Sequence, residues 1–273
     1  MEYYKLNNGL EIPKIGFGTY ILEIDKTYDS IKTALESGYR MLDCAKWYNN
    51  EEIVGKAIKD SKVKREDLIV TVKFECDTYE NTIRNFEDSL KKLQLDYIDI
   101  ALVHWPTTQC METYQALEDL YEKGSVKAIG VSNYHQKLMD YLLENCRVKP
   151  TINQIEMHIY FQEKKMKKYL DEKNIFLEGW APFAEGYMDL LKDKTIAEIA
   201  KKYKKTPAQI MLRFMIEKNI IVIPKSTNPE HIKENLEIFN FQLKENDVKT
   251  IEELDQRKQY SDWPYNMKEE TDY

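Results

Sequence analysis

Four side chains able to carry a charge or a proton close three apolar runs of this sequence: Asp43 with Tyr48 behind it, Lys73, and His104. The runs are 39–43, 68–73 and 98–104, and in each the ionisable group stands at the C-terminal end. Burying such groups is costly, so a chain that repeatedly ends apolar strands this way points to a reaction site. A tyrosine, with a pKa of about 10, is a poor acid at neutral pH unless a neighbouring cation stabilises its phenolate. Lys73 would supply that cation, and Asp43 would hold Lys73 ionised. Tyr48 could then hand a proton to a developing alkoxide while His104 hydrogen-bonds the same oxygen, which is what carbonyl reduction requires. Each residue alone has a plainer explanation. A strand-end Asp–Lys pair is an ordinary ion pair, Tyr48 is one of nineteen tyrosines, and a histidine before Trp105-Pro106 is a core residue. Only convergence at one place makes them a reacting group.

The elements that would bring them together are short β-rich runs at 15–20, 39–44, 68–74, 98–104, 127–132, 152–157, 175–181 and 220–225. Between them lie patterns with apolar residues spaced at three and four, as in 28–37, 81–93, 113–123 and 163–173, which read as helices. Alternating strands and helices imply parallel βαβ units. Runs such as Ile220-Ile221-Val222-Ile223 suit strands covered on both faces. An open doubly wound sheet meets these demands too. The eightfold count, and polar residues at the ends of many strands, favour a closed (β/α)8 barrel, whose strand ends converge on one mouth. A hairpin over 6–13 around Asn7-Asn8-Gly9 is expected to plug the barrel bottom. A helix over 195–203 precedes another that opens at Thr206-Pro207. The tail after Asp255, with Tyr260, Trp263, Pro264 and Tyr265, reads as an irregular flap. Nothing in the composition divides residues 1–273, so one barrel domain is expected.

Forty Lys and Arg against 47 Asp and Glu, a net charge of −7 with both signs interspersed, argue against nucleic acid or an anionic membrane as partner. No run approaches the roughly 18 apolar residues of a spanning helix. Cys44, Cys76, Cys110 and Cys146 are too scattered for a Cys-x-x-Cys motif, and reduced thiols in a cytoplasmic protein are expected.

A nucleotide cofactor would need an anion site. Gly16-Phe17-Gly18 follows a strand, but Ile21 stands where the third glycine of a dinucleotide fingerprint belongs. A better candidate closes the last strand, in 223–229, where Lys225 and a helix start at Asn228-Pro229 would face a phosphate; a good helix start explains the same residues. The pairs Ser132-Asn133 and Asn153-Gln154 end two other strands and suit either a carboxamide or ordinary capping. Trp180 could stack on an aromatic ring.

These segments resemble the aldo-keto reductase family: Gly16-Phe17-Gly18-Thr19-Tyr20; Gly38-Tyr39-Arg40-Met41-Leu42-Asp43-Cys44-Ala45 leading to Tyr48-Asn49-Asn50-Glu51; Val72-Lys73; Leu102-Val103-His104-Trp105-Pro106; Ile129-Gly130-Val131-Ser132-Asn133; Asn153-Gln154-Ile155-Glu156; and Ile223-Pro224-Lys225-Ser226. They run in order from about residue 5 to 255. The resemblance implies a (β/α)8 barrel that reduces the carbonyl of an aldehyde or ketone, or oxidises the alcohol, with NADPH/NADP+ bound without a Rossmann domain. It assigns Tyr48 as proton donor, Lys73 and Asp43 as the pair that tunes it, and His104 as the group orienting the carbonyl. Gly18, Thr19, Tyr20, Asp43, Ser132, Asn133, Gln154 and Trp180 fall where the family surrounds the nicotinamide half. Pro182 and Phe183 fall beside the pyrophosphate, and Lys225, Ser226, Thr227, His231, Glu234 and Asn235 at the adenosine phosphate and adenine. His231 stands where the family commonly has arginine, which would admit NADH beside NADPH. Ala181 replaces a usual serine and Phe183 a usual leucine. Glu75 stands where many members put a pocket aromatic, so the pocket should be more polar. The short 107–111 loop should leave it open on one side. Tyr20, Trp47 and Trp105, with Trp263 from the tail, are the expected apolar wall; together with Tyr48, Glu75 and His104 they make the substrate site. The protein should be a monomer or weak homodimer.

Two other classes fit parts of this pattern. A non-catalytic NADP(H)-binding sensor could use the same barrel, since fold does not fix function. A metal-dependent hydrolase could use His104, Glu156 and His158, although Lys73 would repel the metal.

Overall fold

The computed structural model describes residues 1–20, 24–106 and 110–261. Two short strands, β1 (Tyr3–Lys5) and β2 (Glu11–Pro13), form an antiparallel hairpin across the Asn7-Asn8-Gly9 turn. Gly9 takes φ +93°, a conformation that a side chain would strain. Asn7 donates to the carbonyls of Pro150 and Asn174, and Asn8 to that of Lys127, so the turn caps the chain entering three later strands. Leu6 and Ile12 pack on Met41, Ile100, Ile152 and Ile221. The hairpin plugs the bottom of the barrel, as expected.

The eight remaining strands run parallel in chain order: β3 (Phe17–Gly18), β4 (Met41–Ala45), β5 (Ile69–Phe74), β6 (Ile98–Val103), β7 (Val126–Ser132), β8 (Ile152–Glu156), β9 (Phe176–Trp180) and β10 (Ile221–Val222). The ring closes where Ile15 bridges Val222, with Gly16 donating to the Val222 carbonyl and Gly18 to that of Pro224. The first and last strands are shorter than the expected 15–20 and 220–225. Thr19 N–H turns instead to the Asp43 carbonyl, and Pro224 has no N–H to give to a ladder. At Gly18 an added Cβ would stand 3.0 Å from the Ile223 carbonyl oxygen, so glycine permits this seam.

Around the ring lie α1 (Ile24–Ser37), α2 (Glu51–Asp60), α3 (Tyr79–Leu93), α4 (Cys110–Glu122), α5 (Gln136–Asn145), α6 (Lys164–Glu172), α7 (Lys194–Tyr203), α8 (Pro207–Glu217), α9 (Pro229–Glu234) and α10 (Glu245–Glu252). Thr206 caps α8 with Pro207 in its first turn, as expected, and Gln209 completes a reciprocal capping box.

Strand alternation sorts the core into two layers. Leu42, Cys44, Val70, Val72, Ala101, Val103, Ile129, Val131, Ile155 and Leu177 face the helices. Met41, Ile100, Leu102, Ala128, Ile152 and Ile221 fill the barrel's lower interior with the hairpin. Moving up by twos from these inner positions reaches Asp43, His104, Ser132, Gln154 and Lys225. On β5 the same parity carries Thr71 to Lys73, and on β9 it carries Phe176 to Glu178 and Trp180. The polar residues crown an apolar plug.

Two of the four cysteines depart from expectation. Cys76 and Cys110 are joined by a disulfide, with Cα atoms 4.6 Å apart, while Cys44 and Cys146 are free. A separation of 34 positions hid this pairing, because the segment after β5 and the start of α4 meet only in the folded barrel.

Candidate active site

Above the plug lies a cleft of about 480 Å³, within the size range of small-molecule sites. At its floor Lys73 Nζ stands 2.5 Å from Asp43 Oδ2, and both side chains are almost completely buried. The second Asp43 oxygen accepts from Gln154 Nε2 at 2.8 Å. The phenol of Tyr48 arrives from the 3-10 turn Lys46–Tyr48, tilted against Tyr20 at 4.9 Å and edge-on at 5.9 Å to His104. Lys73 Nζ lies 5.1 Å from the centre of its ring. His104 follows β6, and its N–H is anchored on the Phe74 carbonyl at 2.8 Å. The four residues meet as the sequence implied.

Their electrostatics differ in one respect from expectation. Enclosure by the surrounding walls, then the Asp43 charge, push the Tyr48 phenol well above the usual tyrosine value. Tyr48 therefore enters any reaction protonated, holding its proton until a stronger base forms. Burial lowers the His104 imidazole below the ordinary histidine value, and the Lys73 charge adds to this, against the pull of Glu75.

Beneath them Glu178 is fully enclosed, with Oε2 accepting from Gln154 at 3.3 Å and Oε1 without a partner. Burial first, and Asp43 next, push this carboxyl up to about 8. It is thus neutral below that pH, leaving Asp43 as the counter-ion of Lys73. A pKa raised by folding supports the folded state at acid pH, and that support is lost as pH climbs from 4.5 towards about 8. Glu178→Gln should accordingly match the wild type in urea unfolding near about pH 5 and gain on it by on the order of a few kcal/mol at about pH 9. A difference that stays constant with pH would contradict the neutral carboxyl.

One wall of the cleft is aromatic and amide-bearing. Trp180 donates from Nε1 to Asn133 Oδ1 at 3.0 Å, and Asn133 donates to Ser132 Oγ and to the His104 carbonyl. Ser132 in turn donates to the Gln154 carbonyl. Asn153 faces the other way, exchanging hydrogen bonds with the Tyr134 backbone, so it caps the strand. At the far end Lys225, Ser226, His231, Glu234 and Asn235 line the cleft, and Asn228 and Pro229 open α9 as the sequence suggested. Gly18, Tyr20, Trp47, Trp105, Pro182 and Phe183 also line it.

Four expected site residues lie outside the lining. Thr19 donates its hydroxyl to the Asp43 carbonyl, Thr227 is exposed beyond the cleft, and Lys73 is buried beneath it. Glu75 turns from the pocket to His104, with 2.6 Å between Oε1 and Nδ1. Trp263 and residues 107–109 fall outside the described residues, so neither the fourth aromatic of the wall nor the short loop is placed. Conversely, Glu185, Leu191, Thr206, Pro207, Ala208 and Tyr260 line the cleft although the sequence reading left them out of the site. Glu185 stands 3.5 Å from Lys225. Tyr260 stacks on Tyr187 and meets Trp180 edge-on, and the tail's aromatic composition was the available signal for it.

Of the three residues of the hydrolase reading, Glu156 and His158 meet at 3.1 Å but form no metal-ligating group with His104. Glu156 accepts from His158, from the Tyr260 N–H and from the Ser261 hydroxyl, and no group of metal-ligating side chains gathers among the described residues.

Comparison with known proteins agrees with this geometry. The model of the aldo/keto reductase family matches residues 14–256. Glyoxal reductase of Bacillus subtilis (strain 168) is 41% identical over 254 residues, which is 92% of this chain and 91% of that protein. The structure of MGS-M4, an aldo-keto reductase from a Medee basin deep-sea metagenome library, superposes with a TM-score of 0.92 at 46% identity, covering 94% of this chain and 96% of the other. That of a Bombyx mori aldo-keto reductase in complex with NADP gives 0.91 at 31% identity, covering 96% and 95%. The chain belongs to the aldo/keto reductase family. Its class is that of oxidoreductases acting on carbonyl groups, on a (β/α)8 barrel. No helix among the described residues is long and apolar enough to cross a membrane.

Proposed function

We propose that this protein reduces the carbonyl of a small aldehyde or ketone with NADPH. The observation that carries the reading is the Asp43–Lys73–Tyr48–His104 cluster at the floor of a cleft whose other end holds Lys225 and Ser226. The cleft suits the cofactor chemically: Trp180, oriented by Asn133, offers a flat face, Ser132, Asn133 and Gln154 offer amide and hydroxyl groups, and Lys225 offers a cation for phosphate. Bound NADPH would supply the hydride. The chain's own residues do the rest. His104 holds the carbonyl oxygen in place, and Tyr48 delivers the phenolic proton to the alkoxide as it forms. Lys73 faces the resulting phenolate charge, and Asp43 keeps Lys73 oriented with both oxygens engaged. Tyr20, Trp47 and Trp105 make the substrate wall and exclude water around the developing charge.

The B. subtilis relative's name directs the first substrates tested to glyoxal and similar 2-oxoaldehydes. Mixing the protein with NADPH and a panel of aldehydes and ketones should consume NADPH, read by its near-ultraviolet absorbance. Tight NADPH binding with no consumption on any carbonyl would instead favour the sensor. His231 lies at the adenosine end, where an arginine would pair with a 2′-phosphate. His231→Arg should tighten NADPH by about ten-fold while leaving NADH nearly unchanged, since one charge-assisted bond to the phosphate is gained. Equal tightening of both cofactors would remove the 2′-phosphate from this end of the cleft. We read residues 1–273 as a single domain in a cytoplasmic protein, a compartment that would hold Cys76 and Cys110 as thiols.

A further inference from the structure

The chemistry assigned to His104 leaves one neighbour unused. Glu75 follows β5 directly, and its Oε1 lies 2.6 Å from His104 Nδ1. Its position is imposed by the barrel. The Phe74 carbonyl before it receives the His104 backbone N–H, and two residues after it the Asp77 N–H donates to Thr113 Oγ1. The backbone around Glu75 is thus anchored, and its half-exposed carboxylate meets Nδ1 of His104, a residue that itself lines the cleft.

We propose that Glu75 is a positioning residue that sets which nitrogen of His104 carries the proton, so that His104 meets a substrate carbonyl as an imidazolium and a product alcohol as a neutral acceptor. The inference rests on the reading of His104 as the group facing the substrate oxygen. A neutral imidazole has one proton, and a carboxylate is an acceptor only, so the short contact places that proton on Nδ1. Nε2 then carries a lone pair. Against a carbonyl oxygen, itself an acceptor, this arrangement repels; it becomes a strong donor only when a second proton makes the ring cationic. Against the hydroxyl of an alcohol the same lone pair accepts directly.

The titratable groups around the ring are Glu75 on the segment after β5, Lys73 on β5, Asp43 on β4, and Tyr48 behind it. Glu75 and Asp43 favour the imidazolium, whereas burial and Lys73 oppose it more strongly, so the cation forms on the acid side of the ordinary histidine range. Reduction by the wild type should hence slow as pH rises from about 5 to about 8. Glu75→Gln changes the contact in kind. The amide of Gln can donate to Nδ1, the ring proton moves to Nε2, and a neutral donor then faces the carbonyl at every pH.

The test compares the wild type with Glu75→Gln and Glu75→Asp by two readouts. Nitrogen NMR of the imidazole rings, tractable with four histidines, should show His104 protonated at Nδ1 in the wild type and at Nε2 in Glu75→Gln. The pH profile of kcat for aldehyde reduction should lose its acid limb in Glu75→Gln, with a rate about ten-fold lower at the acid end. At about pH 8 the variant should equal or exceed the wild type. Glu75→Asp should keep the limb in part. An unchanged tautomer in Glu75→Gln overturns the proposal, and so does a rate loss equal at every pH. If the wild type consumes no NADPH with any carbonyl, the functional reading fails instead, and the NMR comparison still decides the role of Glu75.

Discussion

Tyr48→Phe should lower carbonyl reduction by at least about 10²-fold, in the range general acids contribute, while NADPH binding stays within a factor of about three. The substitution removes one oxygen and leaves the ring. The contacts of that ring with Tyr20, His104 and Lys73 depend on its faces and edges, so the cleft keeps its shape. What is lost is the one proton positioned for the alkoxide. Because enclosure holds the phenol protonated, no compensating change of charge state accompanies the loss in the resting protein. Cofactor titration by quenching of tryptophan fluorescence, beside steady-state NADPH consumption, separates the two effects. Turnover within three-fold of the wild type would sink the assignment of Tyr48.

The second large effect concerns Lys73. Lys73→Met keeps most of the side-chain volume and strips Asp43 of its cation, leaving a buried carboxylate held by one Gln154 amide. Breaking one partner of such a pair costs about 3–5 kcal/mol, and urea unfolding should show a loss of that order. Reduction should fall as severely as in Tyr48→Phe, since the phenolate left by proton transfer would face Asp43 without a cation. The double variant Asp43→Asn with Lys73→Met resolves the two roles. Replacing both charges by neutral groups should return most of the stability, because no isolated charge remains. Turnover should not return with it. A double variant as active as the wild type would make Asp43–Lys73 an ordinary structural ion pair.

That ordinary alternative exists elsewhere in the barrel. Asp99 on β6 is also a buried strand carboxylate, and it pairs with Arg65 at 2.6 Å and Lys127 at 3.2 Å while accepting from the Val70 N–H. It lies on the outward parity, one residue out of step with Ile100, Leu102 and His104, and so faces the helix layer. Parity, with height along the strand, separates Asp99 from Asp43, and both can be read from sequence. The same reasoning explains why Asn153 became a cap while Gln154, its neighbour, reached Asp43.

What the order of residues determined by itself was periodic and local. Alternation put Asp43, Lys73, His104, Ser132, Gln154 and Lys225 on inward positions at strand ends. Asn-Gly placed the hairpin turn, Thr206-Pro207 and Asn228-Pro229 placed helix starts, and the family's segments ordered the barrel. These are interactions between residues close in sequence, where side-chain period and turn chemistry act. Tertiary structure decided everything that depended on which distant ends meet. It joined Cys76 to Cys110, laid Tyr260 against Trp180, and brought Glu185 within 3.5 Å of Lys225. It also turned Glu75 from a pocket position to the far side of His104. Barrel closure sets such meetings, because strand tilt and register bring together residues tens to more than a hundred positions apart in the chain. No local pattern records those distances, and for that reason the four strand-end candidates were legible while the contact of Glu75 with His104 was not.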